Sequence, residues 1–117
     1  MKKPTKKQVE KWCDALRSGK YKQGVKRLQT DKGYCCLGVA VDVFVPKGKQ
    51  ELLPTGNLKG CRPRRQSAAP GWLHDMPAMS GDRWDDFDIS LLELNDDKGY
   101  TFDEIADVLE IEFIHGI

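Results

Sequence analysis

The chain has 117 residues, 39% apolar and 32% charged, which is enough for one hydrophobic core, too short for two, and too apolar for wholesale disorder. The net charge is +1, but it is segregated: residues 1–70 carry 17 Lys and Arg against 5 Asp and Glu, a balance of +12, and residues 71–117 carry 2 against 13, a balance of −11. No run approaches the ~18 apolar residues of a membrane span, and no apolar stretch follows the basic Met1–Lys7 segment as in a signal peptide, so a cytoplasmic protein with no membrane partner is expected.

Thr5 and Gln8 form a capping-box pair, and Val9, Trp12, Cys13 and Leu16 recur at helical spacing, predicting a first helix ended by Gly19. Lys6, Lys7, Lys11 and Arg17 fall mostly off that stripe, on a solvated face. The turn Thr30-Asp31-Lys32-Gly33 separates the runs 24–29 and 34–36 and predicts a short β-hairpin. From Leu37 to Val45 the chain alternates like a strand through Val39, Val41, Val43 and Val45, yet repeats like a helix through Leu37, Ala40, Val41 and Phe44. Helix is the preferred reading, because Asp42 then sits on an outer face rather than inside a sheet, and Pro46 ends the element.

Between residues 46 and 71, Pro46, Pro54, Pro63 and Pro70 are interspersed with glycines, and nearly all the charge is positive. Loops longer than ~15 residues within a compact domain tend to be functional or disordered, so a mobile loop is expected here. Arg62, Arg64 and Arg65 are its most concentrated basic point and the expected anion-binding patch, since a guanidinium fork suits phosphate or carboxylate. The competing reading pairs these arginines with the acidic half of the chain, for instance with the aspartates around Trp84.

Trp72, Leu73, Met76 and Met79 predict a short amphipathic turn limited by Pro77. Asp82, Asp85, Asp86 and Asp88 surround Trp84 and Phe87 in an acidic turn, and Ser90 to Asn95 reads as a short helix closed by the Asx-type turn Asn95 to Gly99. The last helix has Thr101 and Glu104 as its capping box, Tyr100 placed to staple Ile105, and Phe102, Ile105, Ala106 and Leu109 on one face. The expected architecture is a small α+β single domain over residues 1–117, with three or four helices and a short β-hairpin or small antiparallel sheet.

The segment Tyr34-Cys35-Cys36-Leu37-Gly38-Val39, together with Leu94-Asn95-Asp96-Asp97 and the following helix from Thr101, resembles a family of small uncharacterised proteins of tailed phages and prophages. The resemblance extends to Trp12, Ala15–Tyr21 and Gln23-Gly24, and it leaves out the loop at 46–71. It implies a phage setting and supplies no catalytic residues.

Cys35 and Cys36 precede a predicted helix, whose N-terminus lowers a thiol pKa, but neither His74 nor His115 is tied to them by spacing as a base would be. Without a signal sequence the four cysteines read as reduced thiols, with Cys35 or Cys36 buried. Cys13, Cys35, Cys36 and Cys61 lack the paired short spacings of zinc sites, and the aspartates at 82–88 do not follow the EF-hand pattern. No glycine-rich phosphate loop, dinucleotide fingerprint or nucleophile elbow is present, so no cofactor is expected. The expectation is a non-enzymatic phage accessory module. It would bind a host protein or small anionic ligand through Arg62, Arg64, Arg65, Tyr34 and Cys35. A nucleic-acid-binding protein is the alternative, followed by a cysteine-dependent enzyme.

Overall fold

The computed structural model describes residues 4–74 and 91–111. Helix α1 spans Lys6–Arg17, and a two-stranded antiparallel hairpin pairs β1 (Gln29–Thr30) with β2 (Gly33–Tyr34). Helix α2 covers Cys36–Phe44, α3 Gly71–His74, α4 Leu91–Asp96 and α5 Phe102–Glu110. Single 3-10 turns occupy Lys47–Lys49 and Pro63–Arg65. The result is a small α+β domain.

The two capped helices form as their local signals dictate. In α1 the Thr5 hydroxyl accepts the Gln8 N–H at 3.1 Å, and the Gln8 side chain returns the bond to Thr5 N–H at 2.8 Å. Thr101 and Glu104 repeat the device at α5. Such reciprocal bonds satisfy donors that a helix start otherwise leaves unpaired. The apolar faces then meet: Val9, Trp12, Cys13 and Leu16 of α1 and Phe102, Ile105, Ala106 and Leu109 of α5 are all buried, and α1 lies against α5 more extensively than against any other element. Cys13 Sγ reaches Ala106 O at 3.5 Å across this seam, and Trp12 Nε1 donates to Cys36 O at 3.1 Å, joining α1 to α2.

Helix α2 is buried from Cys36 through Val41, which explains its double periodicity: an element apolar all round shows no single stripe. Asp42 does not occupy a solvated face as expected. Its carboxylate accepts from Tyr21 Oη, from Lys47 Nζ at 2.8 Å and from Gln50 Nε2 at 3.0 Å. The hairpin is shorter than the expected run from residue 24, because Lys26 adopts a left-handed conformation with φ 68° that a strand cannot continue through.

The expected mobile loop at 46–71 is instead a folded lobe. Leu52 and Leu58 form an antiparallel bridge, Leu58 and Pro63 are buried, and the chain closes around Gln66. The helix expected from Ser90 runs Leu91–Asp96. The aspartate-rich turn at 82–88, with Met76 and Met79, lies outside the described residues. Among the described residues, no helix is long and apolar enough to cross a membrane.

Candidate functional site

The arginine turn is built on a buried proline. Pro63 opens the 3-10 turn with its ring inside the lobe, the Arg65 N–H bonds Arg62 O at 3.0 Å, and the Gln66 N–H bonds Pro63 O at 2.9 Å. Anchoring Pro63 inward turns Arg62, Arg64 and Arg65 outward, and all three are exposed. The Gln66 side chain, 0% exposed, fixes what lies beneath: its Oε1 accepts the Glu51 N–H at 2.7 Å, and its Nε2 donates to Glu51 O at 2.7 Å and Lys59 O at 3.0 Å. His74 Nε2 reaches Gln66 O at 3.0 Å, as its protonated ring nitrogen would.

Electrostatically the lobe is one-sided. Glu51 is the one acidic residue between positions 46 and 71, and its carboxylate accepts the Ser67 N–H at 2.8 Å, which holds its pKa below the ordinary value. Among the described residues none of the three arginines makes an ion pair or side-chain hydrogen bond. Arg17, by contrast, bridges Asp107 and Glu110 of α5 at 2.6 Å each.

The other expected site residues lie elsewhere. Tyr34 is half-buried, its ring edge-on to Tyr21 with centroids 4.9 Å apart, in the cluster around Asp42. Cys35 is 1% exposed and offers no surface to a partner, which corrects its expected binding role. It is the N-cap of α2, its Sγ accepting the Gly38 N–H at 3.3 Å. Burial pushes the Cys35 thiol up to about 12, outweighing the helix amides that favour a thiolate, and burial raises the Cys36 thiol as well. Both are therefore protonated at neutral pH, the opposite of what a thiol nucleophile requires. All four cysteines are free, and Cys61 alone is exposed. Among the described residues no cluster of His, Cys, Asp and Glu could hold a metal ion.

The two sequence motifs meet at Asn95, a residue that local reading assigned to a turn. Its Oδ1 accepts the Cys36 N–H at 3.1 Å and Gln23 Nε2 at 3.0 Å, and its Nδ2 donates to Gly24 O at 2.9 Å. Asp96 holds the Lys26 N–H at 2.9 Å. Gly38 completes the junction, since a Cβ there would lie 1.8 Å from Leu28 O. The Cys-Cys-Leu-Gly and Leu-Asn-Asp segments thus form a structural joint.

Sequence reading also missed a cleft of about 360 Å³ between the hairpin and the lobe. Arg27 and Asp31 line it from the hairpin side, and Leu53, Asn57 and Leu58 from the lobe. Its walls are tied by Leu28 N–H to Gly60 O at 3.2 Å and Leu58 N–H to Gln29 Oε1 at 3.0 Å.

A family model described as Domain of unknown function (DUF8296) matches residues 1–62, more than half of the chain. The chain belongs to the DUF8296 family. No curated protein and no solved structure matches it significantly. The DUF8296 match takes in α1, the hairpin, α2 and the lobe as far as Arg62. In this chain those residues share their core with α4 and α5, which lie beyond the matched span.

Proposed function

We propose that this DUF8296 protein is a non-enzymatic phage accessory module that binds an anionic partner, on a host protein or as a small ligand, through its basic lobe. The observation that carries the reading is the contrast between Arg17, which takes two carboxylates, and Arg62, Arg64 and Arg65, which take none among the described residues although they stand within four positions of one another. Like charges held together on an anchored turn are costly unless an anion compensates them, and guanidinium groups bind carboxylate or phosphate bidentately. The protonated, buried thiols favour a binding role over a cysteine-dependent enzyme. The phage setting rests on the motif resemblance.

The test is the triple change of Arg62, Arg64 and Arg65 to Ala. Under this reading the melting temperature stays nearly unchanged while capture of partners from a host lysate, or of extracted small anions, is lost. Lost stability with undiminished capture assigns the arginines to folding and defeats the proposal. Tight binding to DNA or RNA that falls steeply with salt would make the lobe a nucleic-acid site instead.

A further inference from the structure

We infer that the cleft between the hairpin and the lobe binds a small phosphorylated polyol, a ligand of the sugar-phosphate class. This goes beyond the reading above, because it uses Arg27 rather than the arginine turn. At about 360 Å³ the cleft falls near the lower end of the ~300–1,000 Å³ typical of small-molecule sites, which suits a monosaccharide-sized molecule.

The lining chemistry narrows the class. Arg27 and Asp31 are both exposed, both line the cleft, and neither forms an ion pair among the described residues, with each other or with anything else. A ligand that satisfies both needs a strong anion for the guanidinium and neutral hydrogen-bond donors for the carboxylate. A second anion would be repelled by Asp31. Phosphate and hydroxyl groups on one small molecule meet that requirement.

The remaining groups suit hydroxyls. Gln29 uses its Oε1 on the Leu58 N–H, so its amide N–H groups have no partner among the described residues, and the Asn57 side chain makes no hydrogen bond among them. Thr30 and Thr55 accept backbone N–H bonds from Lys32 and Asn57, which leaves each hydroxyl proton able to donate. Leu53, 43% exposed, and Leu58 supply an apolar wall for the C–H face of a ring. Among the described residues no aromatic side chain lines the cleft, so these walls offer a nucleobase no stacking platform. The ties from Leu28 to Gly60 and from Leu58 to Gln29 hold both walls before ligand arrives, which reduces the ordering cost of binding.

The experiment is an NMR chemical-shift titration of the full chain with glucose phosphate and glycerol phosphate, with separate arms of inorganic phosphate and glucose. Saturable shifts at Thr30 and Asn57 are expected with the phosphorylated polyols, and weaker binding in both control arms. Arg27→Gln should weaken the polyol phosphates about tenfold or more, the loss expected of one charge-assisted bond. Asp31→Asn should weaken them while leaving inorganic phosphate bound no more weakly, since it removes a repelling carboxylate. Thermal melts of both variants, whose altered side chains are exposed, check that the fold is intact. The triple arginine-turn variant should bind polyol phosphates as the wild type does, so failure here and failure of the lobe proposal are separable. The inference is overturned if no phosphorylated polyol gives saturable shifts, if inorganic phosphate binds as tightly, or if Arg27→Gln changes nothing.

Discussion

Between α1 and α5 the chain buries Val9, Trp12, Leu16, Ile105 and Leu109 and finishes the seam with Arg17 on two carboxylates. From Pro46 to His74 it anchors Leu58, Trp72 and Leu73 in the same core, but closes an irregular lobe around one buried amide, Gln66, and leaves its arginines outside. The first region is held by apolar area, with Arg17 neutralised at home. The second adds a net of hydrogen bonds to those anchors and displays its arginines. Beside its apolar anchors, an irregular segment is fixed where a buried amide is fully paired, as Gln66 is.

The largest expected difference is in thiol chemistry. Cys13 and Cys35 are buried with thiols pushed up to about 12, Cys36 is buried and likewise raised, and Cys61 is exposed in the lobe. A thiol reagent at neutral pH should therefore label one cysteine rapidly in the native protein and all four after denaturation. Rapid labelling of Cys35 in the native state would show that the α2 N-terminus opens.

Next in size is the helix seam. Leu109→Ala should cost about 2–5 kcal/mol in chemical denaturation, as truncations of buried leucines do, because Leu109 is fully buried. A loss below about 0.5 kcal/mol, the range of ordinary surface changes, would mean that α5 does not carry the seam.

Gln66→Leu tests the lobe on its own terms. It puts an apolar side chain of similar size in place of the amide and strands the Glu51 N–H and the Lys59 carbonyl, while Glu51 O keeps the Lys59 N–H at 2.9 Å, for which about 1–3 kcal/mol is expected. A neutral result would erase the contrast between the two regions.

The smallest effect is a dependence on pH where the lobe is pinned to α2. Burial works against ionisation of Asp42, but hydrogen bonds from Lys47, Tyr21 and Gln50 outweigh it and hold its pKa below the ordinary 3.8. A depressed carboxylate pKa stabilises above the unfolded value, and that contribution fades as pH falls through the folded one. The stability difference between wild type and Asp42→Asn should thus be full near neutrality and shrink below about pH 4. A difference that stays flat across that range would remove Asp42 as the clamp.

How much of this was legible in the sequence depended on how far each signal reached along the chain. The capping boxes span three residues and the apolar stripes of α1 and α5 repeat within two or three turns, so both helices and the buried faces of Val9 and Leu109 followed from local pattern alone. The charge segregation and the triad Arg62, Arg64 and Arg65 were equally visible, although not the buried Pro63 that turns them outward. The half-buried Asp42 and the buried Gln66 and Asn95 were not legible as hubs, because a polar side chain carries no periodicity that reveals its partners. Asn95 meets Gln23, Gly24 and Cys36 from 59 to 72 positions away. Gly38 looks like any helical glycine until the tertiary fold brings Leu28 O to within 1.8 Å of where its Cβ would be. The sequence by itself determined the two capped helices, α1 and α5, and the faces they bury, since both depend on neighbours within a few residues. Which polar groups are locked inside, and the cleft between hairpin and lobe, were decided by the tertiary structure, because only folding brings their partners within hydrogen-bond reach.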